Sequence, residues 1–366
     1  MRGRHTRQTL SSASGFAGTA AGRVPSRNES FDLVRILAFA AIVFLHMGAT
    51  VSVQETPLAA TVNAVARFAV PFFFAVTGFF LARADARKLT RGFRKELVFT
   101  ACAVALYFAL AAFGLWDWSG VGLPILAFFE RDWVGPFLLW NDFPFAYHLW
   151  FLFAALYVYA ILIVWRACRA PMGVFLVLGA ALLVIRLFLT EFTETLDSLG
   201  MQPRSFLLFA LPSFAMGMAL ARAKDRLRAV PVAASLIVIV GGGVLSVYEA
   251  RLFGLQELYI GSIVTVAGLF ALCLRCPHPF SSVPGLRRIG ALARFGGMPM
   301  GIAYVVHLVI LQVMLRASEV DPLTADPMVV IAVWLGCVAV SLAVGYACSS
   351  ALMILQRFFH RAGERS

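Results

Sequence analysis

Apolar runs separated by short polar or charged segments divide the chain almost from end to end. They fall at about residues 33–53, 58–82, 97–115, 146–165, 172–190, 205–221, 231–248, 258–274, 298–315 and 327–356. A bilayer core of about 30 Å is crossed by about 20 apolar residues in α-helix. Inside lipid a segment must satisfy its own backbone hydrogen bonds, which selects helices for runs of this length. The pattern therefore predicts an all-α, polytopic membrane protein with about ten transmembrane helices.

Residues 1–30 break the pattern: they are rich in Arg, Ser, Gly and Thr without apolar periodicity and read as a disordered basic tail. The first run starts too late and is too long for a cleavable signal peptide. The remaining division is a membrane domain over 31–356 and a short polar tail over 357–366.

Composition agrees, with 61% hydrophobic and 14% charged residues against roughly a quarter charged in soluble domains. The net charge of +12 would suggest a nucleic-acid partner in a soluble protein. Here its placement matters more. With both termini in the cytosol, 24 of the 31 Lys and Arg fall in the tails and inner loops, as the positive-inside rule requires. The expectation is N-in, C-in topology in a cytoplasmic (inner) membrane, with lipids rather than nucleic acid as surroundings. The stretch 116–145, with Trp116, Trp118, Trp133 and Trp140, reads as an interfacial outer loop or, alternatively, as a re-entrant cap over a site.

Polar side chains inside the spans need a reason, because a central Arg costs roughly 2.5–3.5 kcal/mol on insertion scales. In FDLVRILAFAAIVFLHMG, Arg35 and His46 are eleven residues apart, which puts them within about 20° of one helix face and ~16 Å apart in depth. Asp32 can pair with Arg35 one turn away. Taken alone, the pair also fits a snorkelling Arg and a His bonded to a neighbouring helix. Arg67 requires a partner at membrane depth, with Glu55 or an acid of the 116–145 loop as candidates. Cys273-x2-Cys276 beside His278 is too sparse for a metal site, and no metal is expected. Asn28-Glu29-Ser30 fits a glycosylation sequon but lies on the cytosolic side. Gly297-x3-Gly301 and Gly241 to Gly243 have the small-residue spacing of close helix packing.

Several blocks, in order, resemble the acyltransferase-3 family of integral membrane acyltransferases. They are the Arg-x10-His of Arg35 and His46, VPFFFAVTGFFLAR in the second run, and Arg91-x2-Arg94. Further on come HLWFLFAALYVY from His148, LPSFAMGMALAR from Leu211 and GGMPMGIAYVVHLVIL from Gly296. Thr77 stands where the family usually has Ser, and Met298–Met300 with Pro299 departs from the polar residues many members carry there.

The resemblance implies transfer of an acyl group, usually acetyl, from cytosolic acyl-coenzyme A to a hydroxyl of a carbohydrate or lipid-linked glycan, with no permanently bound cofactor. Coenzyme A is polyanionic, and guanidinium forks suit phosphate oxygens; Arg91 and Arg94 are the candidates for its phosphates and Arg35 for the donor side. His46 is the candidate for the chemical step, as general base on the acceptor hydroxyl or as a transient acyl carrier; the base is preferred. His307, Tyr304, His148 and Trp150 are candidate supporting residues. Two other acceptors fit the family, a small hydroxylated metabolite or, for succinyl transfer, a glucan. A transporter is the rival from a different class.

Overall fold

The computed structural model describes residues 28–50, 57–114, 116, 133–141, 143, 146–188, 204–280, 298–318 and 326–363, and every described element is helical. The order is α1 (Glu29–Thr50), α2 (Pro57–Ala66), α3 (Ala69–Leu81), α4 (Ala86–Ala112), α5 (Val134–Trp140), α6 (Trp150–Ala167) and α7 (Met172–Phe188). There follow α8 (Leu211–Arg222), α9 (Lys224–Ala229), α10 (Val232–Phe253), α11 (Ile260–Arg275), α12 (Met298–Ala317) and α13 (Pro327–Gly363). Among the described residues, seven segments are long and apolar enough to cross a membrane, and the shorter apolar helices Met172–Phe188, Phe206–Arg222 and Ile260–Arg275 occupy three further runs.

Helix ends depart from the apolar runs where a local signal overrides hydropathy. α4 begins at Ala86 rather than near 97, because Asp85 caps it by accepting the Lys88 N–H at 2.7 Å. Its first turns are basic and exposed, so hydropathy alone misses them. The second run is two helices, α2 and α3, interrupted by a turn at Arg67–Phe68. α8 is entered through a turn of π-helix at Phe206–Ala210, whose first N–H groups are met by Ser205 Oγ bonding Leu208 N at 3.1 Å.

α1 is the central helix, packing on α2, α3, α11, α12 and α13. Its start is pinned to the end of α11. Asn28 caps α1 by accepting the Phe31 N–H and donates to the Cys273 carbonyl at 2.9 Å, while the Ser30 hydroxyl donates to the Cys276 carbonyl. The sequon thus serves as a helix cap, and the Cys-x2-Cys segment contributes backbone acceptors to it. α1 and α11 run antiparallel as a result, so the His46 end of α1 lies with the start of α11.

Close crossings rest on glycine. A Cβ on Gly78 of α3 would overlap the Phe214 carbonyl of α8, and one on Gly217 would overlap the Ala75 carbonyl. Gly242 and Gly261 bring α10 and α11 together in the same way; Gly241 faces open space, and Gly297 lies outside the described residues.

Candidate active site

At the end of α1 away from its Asn28 cap, three imidazoles from separate parts of the sequence come together. His46 projects from α1, His307 from the middle of α12, and His148 from the short 3-10 turn that opens α6. The His46 and His307 ring centroids are 4.9 Å apart, and those of His148 and His307 are 5.7 Å apart. Tyr304, one turn before His307, lies 5.6 Å from the His307 ring and 6.0 Å from the His148 ring. Its hydroxyl donates to the His148 carbonyl, which ties α12 to the start of α6.

The backbone assigns the protons. His46 Nδ1 lies 2.8 Å from the Ile42 carbonyl and His307 Nδ1 lies 2.5 Å from the Tyr304 carbonyl. A carbonyl can only accept, so each Nδ1 carries the hydrogen, and in the neutral ring each Nε2 carries the lone pair. His307 Nε2 is 3.4 Å from His46 Nδ1 and is thus a second, weaker acceptor for the same N–H. His46 Nε2 is the basic atom of this tautomer. His148 and His307 are wholly buried, whereas the His46 residue as a whole is only partly buried.

Among the described residues neither ring nitrogen of His148 has a well-aligned hydrogen-bond partner. The Val305 backbone beside it is a weak acceptor for the ring, and its carbonyl is already taken by the Tyr107 hydroxyl at 2.7 Å. A buried polar group without a partner costs roughly 1–3 kcal/mol, so such groups mark places where something else binds. Trp116 and Tyr107 wall this ring, at 6.2 and 4.8 Å between centroids. Trp116, Trp133 and Phe143 are part of the core around the histidines. Trp116 and Phe143 are thus turned inward as a wall of the site, whereas α5 buries no residue and leaves Val134, Leu138 and Leu139 exposed; residues 117–132, with Trp118, lie outside the described residues.

The remaining sequence-derived candidates are placed elsewhere. Trp150 packs away from the imidazoles, against Phe74 and Phe209. Arg35 and Asp32 pair at 2.7 Å near the start of α1, with the guanidinium 5.8 Å above the Phe80 ring of α3. Three turns of α1 separate them from His46. Arg91 and Arg94 are exposed on the first turns of α4, which follows directly from the α3 end that Arg35 overlies. Arg35, Arg91 and Arg94 thus belong to one end of the bundle and the histidines to the other.

The partner that the structure gives Arg67 is an acid the sequence reading did not name; Glu55 and the acids of the 116–145 stretch, Asp117, Glu130, Asp132 and Asp142, lie outside the described residues. Arg67 meets Glu257, in the α10–α11 connection, at 2.7 Å, and Arg204, just before the π-turn, meets the other oxygen of the same carboxylate at 2.6 Å. Burial alone would raise the Glu257 carboxyl, but the two guanidiniums outweigh it and hold it down at about 2. Arg204 and Glu257, with Tyr107 and Tyr147, were missed in the sequence as site residues. The only signal was a charge count in the outer segments, which carries no pairing information.

No curated protein and no solved structure matches the chain. The family model described as an acyltransferase domain, acyltransferase-3, matches residues 28–349, and with nearly the whole chain covered this membrane protein belongs to the acyltransferase-3 family.

Proposed function

We propose that the chain is a multi-pass O-acyltransferase of the cytoplasmic membrane, with ten spans and both termini in the cytosol. It would move an acetyl or related acyl group from acyl-coenzyme A to a hydroxyl of a carbohydrate or lipid-linked glycan. The observation that carries this reading is the meeting of His46, His148 and His307 from three separate elements, with His46 Nδ1 bonded to the Ile42 carbonyl so that the basic lone pair is on Nε2.

His46 Nε2 takes the proton of the acceptor hydroxyl as its oxygen attacks the thioester carbonyl carbon. The resulting tetrahedral intermediate collapses with rupture of the carbon–sulfur bond, and the leaving thiolate recovers the proton from His46. While His46 is an imidazolium, its Nδ1–H bonds to the Ile42 carbonyl and to His307 Nε2 become charge-assisted, which stabilises it without moving a heavy atom. His148, whose ring makes no more than a weak contact with the Val305 backbone, supplies an N–H for a polar atom entering the cluster. Arg35, Arg91 and Arg94 at the opposite end serve the coenzyme A phosphates. Membership of the family weighs against the transporter alternative.

The test is transfer of label from acetyl-coenzyme A by the purified full-length protein in lipid nanodiscs. Wild type consumes donor and acetylates a glycan acceptor, and His46→Ala reduces this by about three orders of magnitude. A His46→Ala protein as active as wild type would overturn the assignment.

A further inference from the structure

We propose that Arg67, Arg204 and Glu257 form a binding subsite for a negatively charged group on the acceptor, so that the preferred acceptor is an acidic glycan, bearing a carboxylate or a phosphodiester near the hydroxyl that is acylated. This rests on the acyl-transfer reading for the identity of the ligand as acceptor.

The subsite is built rather than incidental. Asn141, buried and in the left-handed conformation at φ 56°, caps α5 and holds the Arg204 segment: its amide donates to the Arg204 carbonyl at 3.4 Å and its oxygen accepts the Phe206 N–H. On the other side, the Tyr259 hydroxyl accepts the Gln256 N–H at 2.7 Å and donates to the Gly254 carbonyl at 3.1 Å, closing the turn that carries Glu257. Glu249 fixes the start of α11 by accepting the N–H groups of Ile260 and Gly261. Arg67 is oriented by Nε donating to Asn63 at 3.0 Å.

Two guanidiniums share one carboxylate, which leaves one positive charge over among these three side chains. Arg204 uses one terminal nitrogen, Nη2, for Glu257, and its other donors have no partner among the described residues. Side-chain exposure rises from 13% at Arg67 through 26% at Glu257 to 46% at Arg204, so the spare donors are on the accessible side. The charge also reaches the histidine cluster: all three groups act electrostatically on His46, and Arg204 on Tyr147 and Tyr304 as well. A partly desolvated guanidinium with free donors, within electrostatic reach of a general base, is suited to an oxyanion carried by the molecule whose hydroxyl that base deprotonates. The donor phosphates belong to the Arg91 and Arg94 end and do not compete for it.

Binding is read without donor, as the ligand-induced rise in melting temperature of the full-length protein in neutral-lipid nanodiscs. The probes are a glucuronate disaccharide, the same disaccharide with its carboxyl reduced, and a polyisoprenyl phosphate-linked glucose. Expected is at least about tenfold tighter binding of one acidic probe than of the reduced disaccharide, abolished at high salt. The acidic probe that binds identifies whether carboxylate or phosphodiester is the source. Arg204→Gln removes the preference, whereas Glu257→Gln, which unmasks charge, keeps or strengthens it. The proposal is overturned by equal binding of acidic and reduced probes in wild type, by an unchanged preference in Arg204→Gln, or by loss of the preference in both variants. It is also overturned if phosphatidylglycerol in the nanodisc occupies the site as well as the acidic sugars do. The wild-type comparison stands even if a variant does not fold. Donor consumption is measured separately, so an acidic preference without acetyl transfer refutes the catalytic reading, and transfer without the preference refutes this one.

Discussion

The two ends of the bundle solve the same problem, charge in an apolar surrounding, by different means. At the start of α1, Asp32 and Arg35 neutralise each other within one helical turn, and Arg35 keeps 21% of its side chain exposed. At the far end, Arg67, Arg204 and Glu257 come from three separate segments and meet only when α2, the π-turn and the α10–α11 connection are assembled. A pair three residues apart forms with its helix; a cluster of distant residues is a product of tertiary packing and an index of it. The local pair can lose a partner and let the Arg reach out to headgroups. The distant cluster cannot, because removing Glu257 leaves two guanidiniums facing each other.

Five perturbations, in falling order of expected effect, probe that contrast. His46→Ala removes the base that the far end surrounds and lowers transfer about a thousandfold, equivalent to about 4 kcal/mol of barrier, measured by label transfer at saturating donor. Glu257→Ala destabilises the protein by about 2 kcal/mol in chemical or thermal unfolding, less than for a fully buried pair because Glu257 is 26% and Arg204 46% exposed; a cost below 1 kcal/mol would mean that the cluster does not hold the far end together. Replacing Arg91 and Arg94 by Gln raises the KM for acetyl-coenzyme A about tenfold without lowering the melting temperature, which separates phosphate binding from packing. Asp32→Ala costs only about 1 kcal/mol, because Arg35 can snorkel.

The smallest expected effect is a flat pH profile. Glu257 has its folded-state value depressed to about 2 from an ordinary 4.5. Its contribution to stability is therefore complete above pH 4.5 and is lost only as pH falls from there through 2. Melting temperatures should carry no Glu257-dependent change between pH 5 and 8. A drop on acidification below 4.5 that is missing from Glu257→Gln would identify the group.

Much of the far end was legible residue by residue, and little of it as an arrangement. His46 stood out because an ionisable group in a long apolar run has few bland explanations. His307, Tyr304 and His148 were legible as candidates through the family resemblance, yet only the fold shows that His148 meets them while Trp150, two residues on, turns into a phenylalanine cluster. The reason is the 3-10 turn over Tyr147–Leu149, which gives way to α-helix at Trp150 and changes the direction of successive side chains. Arg67 was recognised as needing an acid. Which acid could not be read, because ion-pair choice over long sequence separation depends on helix order and not on spacing.

Hydropathy and charge placement alone determine that this is an all-helical membrane protein, because lipid imposes the same demand on every spanning segment and leaves a periodic trace in sequence. The Asp32–Arg35 pair and the cap at Asp85 are equally local and equally readable. Tertiary structure alone decided the interrupted second run, the glycine crossings, the tautomers of His46 and His307, and the sharing of Glu257 by two arginines. Each of these depends on atoms brought together from distant positions, and the energies that select them arise only once water and lipid have been excluded between the helices.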